Sequence, residues 1–274
     1  MTTTLRPTEP LQHGADGALS RHYQVCVNSR PVGAIHLSTS VSFGPRVAQI
    51  EDLRIEEPDR GRGRATVAAL AAEEVARSWG CARLETRVPA RAEAALRLAS
   101  ALGYVQRNRG MEKPLGTAVP ELPAGSRVRP MTEPEFERWY ERAVPGYAQE
   151  WIGRGVPEDE AFAKSLRDHE VLLPRRLATE DTLFSVLEHE HTPVGSLWVS
   201  FRADNAYVFD VETAEPFRGR GHGRSLMLLA EAQAAAAGKH VIGLNVFAGN
   251  TPAERLYASL GYVPVSYSLY KHLL

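Results

Sequence analysis

Two glycine- and arginine-rich segments contain the residue types best suited to binding a phosphate group. One of them, Arg218-Gly219-Arg220-Gly221-His222-Gly223, lies between a predicted strand and a predicted helix and is followed by Arg224. Backbone N–H groups at a helix start have no intrahelical partner, and the helix dipole favours negative charge there. Glycines let an anion approach the backbone, and arginines add charge-assisted hydrogen bonds. The segment predicts a diphosphate cradle; the alternative is a glycine-rich turn with solvated arginines.

The same pattern occurs at Arg60-Gly61-Arg62-Gly63-Arg64-Ala65. Arg218 lies 158 positions after Arg60 (218 minus 60), and the LGYV of 260–263 lies the same distance after the LGYV of 102–105 (260 minus 102). A constant spacing of this kind predicts two copies of one fold. We assign the copies to residues 1–120 and 127–274, joined near the Pro- and Gly-rich residues 116–126. Neither segment is a P-loop or a dinucleotide-binding G-x-G-x-x-G motif.

Strands and helices are predicted to alternate in each copy. The second copy has predicted strands at 206–212 and 241–247, a helix from Arg224 to Ala237, and a helix to Leu260 that opens on a Thr251–Glu254 capping box. The first copy has predicted strands at 20–28, 32–40, 46–56 and 82–88, helices at 64–79 and 91–102, and a last strand. A helical run from Glu133 to about His169 precedes only the second copy, because the first has fewer than 50 residues ahead of its motif strand.

Two carboxylates and a tyrosine of the second copy are candidates for proton transfer. Strand alternation puts Asp210 and Glu212 on one face, about 7 Å apart, where each can raise the pKa of the other. This would suit one of them to act as a base through water, whereas an ordinary solvated strand face is the alternative. Glu150 is a third candidate base. Tyr257 lies on or beside the apolar stripe of its helix, where packing is the usual role of a tyrosine.

These motifs resemble those of the GNAT superfamily of N-acetyltransferases. The family signature, Arg/Gln-x-x-Gly-x-Gly/Ala, is matched by Arg218 to Gly223 and by Arg60 to Ala65, and residues 250–262 resemble its second conserved block. The resemblance implies an α/β fold of two tandem GNAT-like domains. Each would have a mostly antiparallel central sheet, in a mixed α+β arrangement, flanked by helices, and the N-terminal domain would be truncated.

The resemblance also implies a reaction and roles for particular residues. The family uses acetyl-CoA or another acyl-CoA and transfers the acyl group directly to an amine. A backbone N–H near Val211–Thr213 would stabilise the oxyanion, and Tyr257 would protonate the leaving thiolate. Some relatives have a glutamate base on the next strand, where this chain has Asn245, so the base stays open between Asp210 and Glu212. The implied cofactor contacts of the second copy are Val211, Thr213, Arg218, Gly219, Arg220, Gly221, His222, Gly223, Arg224 and Asn250. Those of the first copy are Arg60, Gly61, Arg62, Gly63, Arg64 and Ala65. The alternative role of Asn250 is to shape its turn.

The two copies are not expected to be equivalent. Ala92 and Ala99 stand at the positions of Asn250 and Tyr257, so the first copy has lost the hydroxyl. We therefore expect a degenerate, mainly structural first copy, for which binding of CoA is left open, and a catalytic second copy. Glu85 of the first copy is expected to face solvent.

Composition excludes several classes of protein. The 274 residues are 43% hydrophobic and 24% charged, and Lys+Arg 32 against Asp+Glu 33 does not favour a nucleic-acid surface. No apolar run is long enough to cross a membrane, and the N-terminus lacks the pattern of a secretory signal. Cys26 and Cys81 are too few for a disulfide framework or a four-cysteine metal site, which favours a cytoplasmic protein without a metal. The expected partners are acetyl-CoA and a small-molecule or peptide amine; the alternative is a non-catalytic acyl-CoA sensor or assembly module.

Overall fold

A computed structural model describes residues 2–15, 17–40, 43–116 and 120–273. The first half of the chain forms β1 (Thr3–Pro7), β2 (Gln12–His13), β3 (Leu19–Val27), β4 (Arg30–Ser40), β5 (Gly44–Ile55), α1 (Arg64–Ser78), β6 (Arg83–Pro89), α2 (Glu93–Ala101) and β7 (Val105–Pro114). The second half forms β8 (Ser126–Pro130), α3 (Glu133–Ile152), α4 (Glu158–Leu172), β9 (Thr182–His189), β10 (Thr192–Phe201), β11 (Ala206–Thr213), α5 (His222–Ala236), β12 (Val241–Phe247), α6 (Thr251–Ser259) and β13 (Val263–His272). The predicted joining segment, 116–126, includes residues 117–119, which lie outside the described residues.

The chain divides into two compact units. Unit 1 comprises the residues up to Asn108 together with those from Ser266 onward, and unit 2 comprises Arg109–Val265. These limits differ from the repeat boundaries drawn from the sequence, because residues 266–272 of β13 belong to unit 1 and residues 109–114 of β7 belong to unit 2. The last strand of each sequence repeat therefore completes the unit that contains the other repeat.

Each unit is built on one sheet. The strand order in unit 1 is β1-β3-β4-β5-β6-β13, with β2 beside β3, and in unit 2 it is β7-β12-β11-β10-β9-β8. The pairs β5–β6 and β11–β12 are parallel, whereas β1–β3, β3–β4, β4–β5, β6–β13, β8–β9, β9–β10 and β10–β11 are antiparallel. The predicted α/β fold with mostly antiparallel sheets is confirmed.

Helices cover the sheet of unit 2 and form its core. Leu226, Met227 and Ala230 of α5 are fully buried in one apolar cluster. Phe136 and Trp139 of α3 are buried in a second cluster with Trp198 of β10. The sheet therefore lies between α5 and α3, which fixes the positions of the side chains on both of its faces. No helix of the described ranges has both the length and the apolar composition needed to cross a membrane.

Several details differ from the sequence predictions. The predicted helical run from Glu133 is interrupted after Ile152, and α4 starts at Glu158. The cap of α6 is Asn250, whose side chain accepts a hydrogen bond from the Ala253 N–H at 3.3 Å, and not Thr251.

The expectation that Glu85 faces solvent is wrong. Its side chain is buried and forms ion pairs with Arg107 at 2.6 Å and Arg83 at 3.0 Å. A carboxylate tolerates such burial when cations and hydrogen bonds replace water. Cys26 and Cys81 are both buried.

Candidate active site

A crevice opens where two parallel strands of unit 2 separate. Strands β11 and β12 pair only from Ala206↔Ile242 to Val208↔Leu244. Asp210 pairs with Trp198 of β10 and Val208 pairs with Val199, so Phe209 is the extra residue of a β-bulge. Bulges redirect a strand and are frequent beside active sites. From Phe209 to Thr213, the backbone of β11 therefore lacks a strand partner on the side of β12.

The glycine-rich loop lies at the open end of β11. Gly219 and Gly221 have φ values of 76° and 88°, which side-chain-bearing residues rarely adopt. In the described part of the chain, the five successive backbone N–H groups from Gly219 to Gly223 donate no hydrogen bond. A Cβ built on Gly219 or on Gly221 would have no heavy atom within 4 Å among the described residues other than those of the adjoining residues. A run of N–H donors without partners at the start of a 15-residue helix fits a diphosphate.

The basic side chains of this loop are largely engaged elsewhere. Arg218 donates from Nε to the Thr213 carbonyl oxygen at 3.2 Å, and Arg224 donates to the Ser259 hydroxyl at 3.2 Å. His222 is buried, and burial lowers the pKa of its imidazole. The structure therefore favours the backbone N–H groups of the loop, rather than these side chains, as the main hydrogen-bond donors to a bound anion.

Neighbouring elements hold the loop in place. A Cβ built on Gly223 would lie 3.4 Å from Leu256 of α6 and 3.7 Å from the hydroxyl oxygen of Thr213. The loop, the end of β11 and α6 thus come together, as the predicted cofactor contacts require. Asn250 shapes the start of α6 through its cap, which corresponds to the alternative role considered for it.

Asp210 is a carboxylate held in the separated part of β11. Trp139 of α3 donates from Nε1 to Asp210 Oδ2 at 2.8 Å. Burial raises the pKa of Asp210, the Trp139 hydrogen bond lowers it, and the charge of Glu212 raises it further. A carboxyl group whose pKa is raised binds a proton more readily, which suits a general base.

Glu212 is more exposed than Asp210 and has a weaker partner. Its carboxylate lies 3.8 Å from a guanidinium nitrogen of Arg142, and 43% of its side chain is exposed. Glu150 forms an ion pair with Arg154 at 2.6 Å and is also exposed. Of the three predicted base candidates, Asp210 has the most perturbed environment.

Tyr257 projects from α6, the helix that follows β12. It is only 7% exposed, and burial, followed by the charge of Asp210, raises its pKa to about 12. Its hydroxyl has no hydrogen-bond partner in the described ranges. Tyr257 therefore retains its proton at neutral pH and is able to donate it.

Helix α3 covers both strands that border the crevice. Trp139 contacts β11 through Asp210, while Trp151 packs edge-on against Phe247 at the end of β12, with ring centroids 5.1 Å apart. His169 of α4 is buried beside Trp139, and its Nδ1 lies 2.8 Å from the Ser165 carbonyl oxygen. These aromatic residues form a wall on the side of the sheet opposite α5.

Sequence reasoning did not identify Trp139 and Arg142 as partners of the two carboxylates. The amphipathic pattern of 133–152 indicates a buried helix face, but it does not specify which strand that face contacts. The spacing of Trp139 and Arg142, close to one helical turn, was the only signal in the sequence that the two lie near each other.

Unit 1 preserves the loop but not the side chains of α6. Gly61 and Gly63 have φ values of 69° and 72°, and the N–H groups from Gly61 to Ala65 donate no hydrogen bond within the described chain. Arg60 donates to the Ile55 carbonyl oxygen at 2.8 Å, matching Arg218 and Thr213.

Other positions of unit 1 differ from their counterparts. Arg64 is buried and forms an ion pair with Asp59 at 3.1 Å, whereas Arg224 is exposed. Ala92 provides no side-chain cap for α2, and Ala99 is a buried apolar residue.

Comparison with known proteins gives the same family for both halves of the chain. A family model described as the acetyltransferase (GNAT) family matches residues 3–104 and 136–262. The uncharacterized N-acetyltransferase YycN of Bacillus subtilis (strain 168) is 31% identical over 142 residues, 49% of this chain and 90% of that protein. The uncharacterized N-acetyltransferase YdgE of the same organism is 29% identical over 151 residues, 52% of this chain and 95% of that protein.

Solved structures show the same fold over nearly the whole chain. A GCN5-related N-acetyltransferase from Sphaerobacter thermophilus aligns with a TM-score of 0.60 at 20% identity, covering 92% of this chain and 80% of that one. A tandem GNAT protein from the clavulanic acid biosynthesis pathway aligns with a TM-score of 0.50 at 18% identity, covering 96% and 85%. Because the family model matches both copies, the chain belongs to the acetyltransferase (GNAT) family, as a tandem member with two GNAT repeats.

Proposed function

We propose that unit 2 transfers the acetyl group of acetyl-CoA to a primary amine of a small molecule or peptide. The observation that carries this proposal is the crevice between β11 and β12. Unpartnered N–H groups lie at its loop end, and Asp210 and Tyr257 belong to the elements on its two sides. Acetyl-CoA supplies the activated acyl group as a thioester.

The loop and the separated strand would bind and orient the coenzyme. The N–H groups from Gly219 to Gly223 would hold its diphosphate, because they donate no hydrogen bond within the described residues and lie at a helix start. Backbone N–H groups of β11 between Val211 and Thr213 would donate to the oxygen that becomes negative as the amine attacks. Donors fixed in advance stabilise developing charge without the cost of reorganisation.

Asp210 would remove the proton from the acceptor. An amine with a pKa near 10.4 is almost entirely protonated at pH 7 and cannot attack a thioester in that form. Asp210 would accept the proton, directly or through one water, and its raised pKa supports this role. Glu212, on the same face of β11, would attract the cationic acceptor and is the alternative base.

Tyr257 would complete the transfer as the acid. Attack by the amine nitrogen forms the C–N bond, and collapse of the tetrahedral species breaks the C–S bond. The Tyr257 hydroxyl would donate a proton to the departing sulfur, and the proton that the nitrogen must lose after its attack would return to Tyr257 through solvent. We infer that unit 1 does not transfer acyl groups, because Ala99 has no hydroxyl to offer.

The Tyr257→Phe substitution tests the proposal. We expect turnover with acetyl-CoA and an amine to fall by about 10- to 1,000-fold through loss of general acid catalysis. Affinity for acetyl-CoA, measured by calorimetry, should change little because the ring remains. Tyr262→Phe is the matched control: its ring lies 6.0 Å from that of Tyr257, and the carboxylate whose charge acts on it is Glu231 rather than Asp210.

Three outcomes would argue against parts of the proposal. Failure of the wild-type protein to bind acetyl-CoA would overturn it. Unchanged turnover in Tyr257→Phe would remove the acid role. Binding of acetyl-CoA without transfer to any amine would favour the alternative, a non-catalytic acyl-CoA sensor or assembly module.

A further inference from the structure

A cavity of about 340 Å³ lies beside the candidate active site in unit 2. It is bordered by the first turns of α3, by β10 and by the end of β11, and Trp139 contributes to its lining. Its volume suits a small metabolite. Glu212 lines this cavity and shares a strand face with Asp210, so a ligand in the cavity would lie next to the candidate base.

The charges of the cavity are separated into two groups. Arg138 and Arg142 project from α3 one turn apart, whereas Glu212 and Glu215 come from β11 and the turn that follows it. One wall of the cavity is therefore cationic and the facing wall is anionic.

A further carboxylate in the lining, that of Glu135, is already hydrogen-bonded and ion-paired. Glu135 accepts two hydrogen bonds from Arg129, at 2.7 and 2.8 Å, and also accepts hydrogen bonds from Thr132. The Arg129 guanidinium lowers the pKa of Glu135 to about 2, so this carboxylate is charged and fully partnered. Glu135 therefore shapes the cavity but does not attract a charged ligand.

The remaining charges are poorly paired. Arg142 and Glu212 approach only to 3.8 Å, with 64% and 43% of their side chains exposed. Arg138 and Glu215 form no ion pair among the described residues. A ligand that places a carboxylate by the arginines and an ammonium by the glutamates would satisfy both walls. A diamine would place its second positive charge beside Arg138, and a ligand with only negative charge would lie beside Glu215. Each of these like-charge contacts opposes binding.

We propose that the acceptor is a zwitterion, a free amino acid or short peptide with an unblocked carboxylate, bound by Arg138 and Arg142 with its amine beside Glu212. This inference rests on the proposed function of unit 2. The ammonium displaces Arg142 from Glu212 and the carboxylate takes the released guanidinium, so no charge is left without a partner. The amine is then positioned on the strand that carries Asp210.

Acceptor pairs that differ only in the carboxylate test this inference. Thiol release from acetyl-CoA would be measured with leucine against leucinamide, lysine against 1,5-diaminopentane, and alanylalanine against its C-terminal amide. A charge-assisted hydrogen bond contributes about 1.5–3 kcal/mol, so we expect kcat/KM about 10- to 100-fold higher for each acid than for its partner.

Arg138→Gln should abolish most of this preference. We expect it to raise KM for the acids at least about 10-fold, without lowering kcat/KM for the carboxylate-free partners, because those acceptors lose only a repulsive charge. Arg127→Gln is the matched control, since Arg127 is exposed on β8 and does not line the cavity. It removes the same charge from the same unit and should leave the preference intact.

The outcomes separate this inference from the proposed function. Acetyl-CoA binding with equal or faster transfer to the carboxylate-free acceptors overturns the zwitterion assignment alone, as does an Arg138→Gln variant that keeps the preference. If no acceptor reacts, calorimetric titration of leucine and leucinamide into the CoA-loaded protein decides: selective binding of leucine supports the assignment, and binding of neither or of both equally overturns it. Absence of acetyl-CoA binding overturns the proposed function, and the inference falls with it.

Discussion

Asp210 and Trp139 form the contact on which the proposed proton transfer depends most. Asp210 is half-buried, and removing a carboxylate from water is costly unless hydrogen bonds compensate for the lost water. The indole N–H of Trp139 provides one such bond, at 2.8 Å, while burial and the charge of Glu212 act in the opposite direction. The balance leaves the pKa of Asp210 above that of an ordinary aspartate, which is the direction a base requires.

Trp139→Phe should therefore change the pH dependence of the reaction. Loss of a donor to the carboxylate raises its pKa further, because the charged form loses a stabilising bond. A hydrogen bond to a charged group contributes about 1.5–3 kcal/mol, or about 1–2 pKa units. Since the base acts deprotonated, the acidic limb of kcat/KM against pH should move to higher pH by about that amount.

Phe184→Leu provides the control for this shift. Phe184 belongs to the same buried aromatic cluster as Trp139, so its replacement disturbs packing without removing a bond to Asp210. It should leave the acidic limb in place. An unmoved limb in Trp139→Phe would mean that a group other than Asp210 titrates, and Glu212 would become the leading base.

At the scale of elements, the start of α5 depends on the left-handed conformation of Gly221. Its φ of 88° places it at the N-cap, and Gly63 occupies the same position in unit 1 with a φ of 72°. The two loops expose equivalent N–H groups, so the loops alone do not distinguish the units. What differs is their surroundings: Asn250 and Tyr257 on α6 correspond to Ala92 and Ala99 of the first repeat.

Gly221→Val and Gly63→Val form a matched pair of loop variants. A β-branched residue is strained in this conformation by about 1–2 kcal/mol. If the loop backbone rotates to relieve this strain, its N–H groups change direction. We expect Gly221→Val to weaken acetyl-CoA binding at least about 10-fold in calorimetry and to lower turnover. Gly63→Val should lose similar stability but keep turnover. Equal losses of turnover would place a required coenzyme site in unit 1 as well.

The loop was predictable from the sequence because its causes are local. Glycine at 219 and 221 permits positive φ, and a strand before the loop and a helix after it follow from hydrophobic periodicity. The partners of Asp210 and Glu212 were not predictable, since Trp139 and Arg142 reach them through packing of α3 on the sheet. Glu85 was misjudged for the same reason: its ion pair with Arg107 depends on a strand more than twenty positions away in the chain.

At the scale of the whole molecule, the exchange of last strands makes each unit depend on both repeats. Lys113 of β7 pairs with Glu231 of α5 at 2.8 Å in unit 2, and Lys271 of β13 pairs with Glu73 of α1 at 2.7 Å in unit 1. Lys271 lies 158 positions after Lys113 (271 minus 113), and Glu231 lies the same distance after Glu73 (231 minus 73). The repeated sequence fits pairing within a repeat or between repeats equally well, so only the structure distinguishes them.

Both glutamates in these pairs are almost completely buried. Glu231 is 2% exposed and Glu73 is 3% exposed, while the lysines are about a quarter exposed. Tyr262 lies beside Glu231, and Tyr104 lies near Glu73; burial and the adjacent carboxylate raise the pKa of both tyrosines. The lysine of one repeat therefore pairs with the buried glutamate of the other, and Glu73 has a second, more distant cation in Arg77 at 3.9 Å.

Lys113→Met should destabilise the protein by about 3 kcal/mol, because it leaves the charge of Glu231 buried without a cation. The measurement is the free energy of unfolding in urea, and Lys271→Met should give a smaller loss at the equivalent pair, because Arg77 also lies 3.9 Å from Glu73. Replacing both partners, Lys113→Met with Glu231→Leu, should recover most of the stability, since no buried charge then remains.

Arg97→Met is the control: its pair with Glu93 is exposed on both sides, so the change should be under about 1 kcal/mol. Additive losses in the double variant would show that Lys113 and Glu231 do not stabilise each other, and that the exchanged strand is held by its backbone and apolar contacts alone.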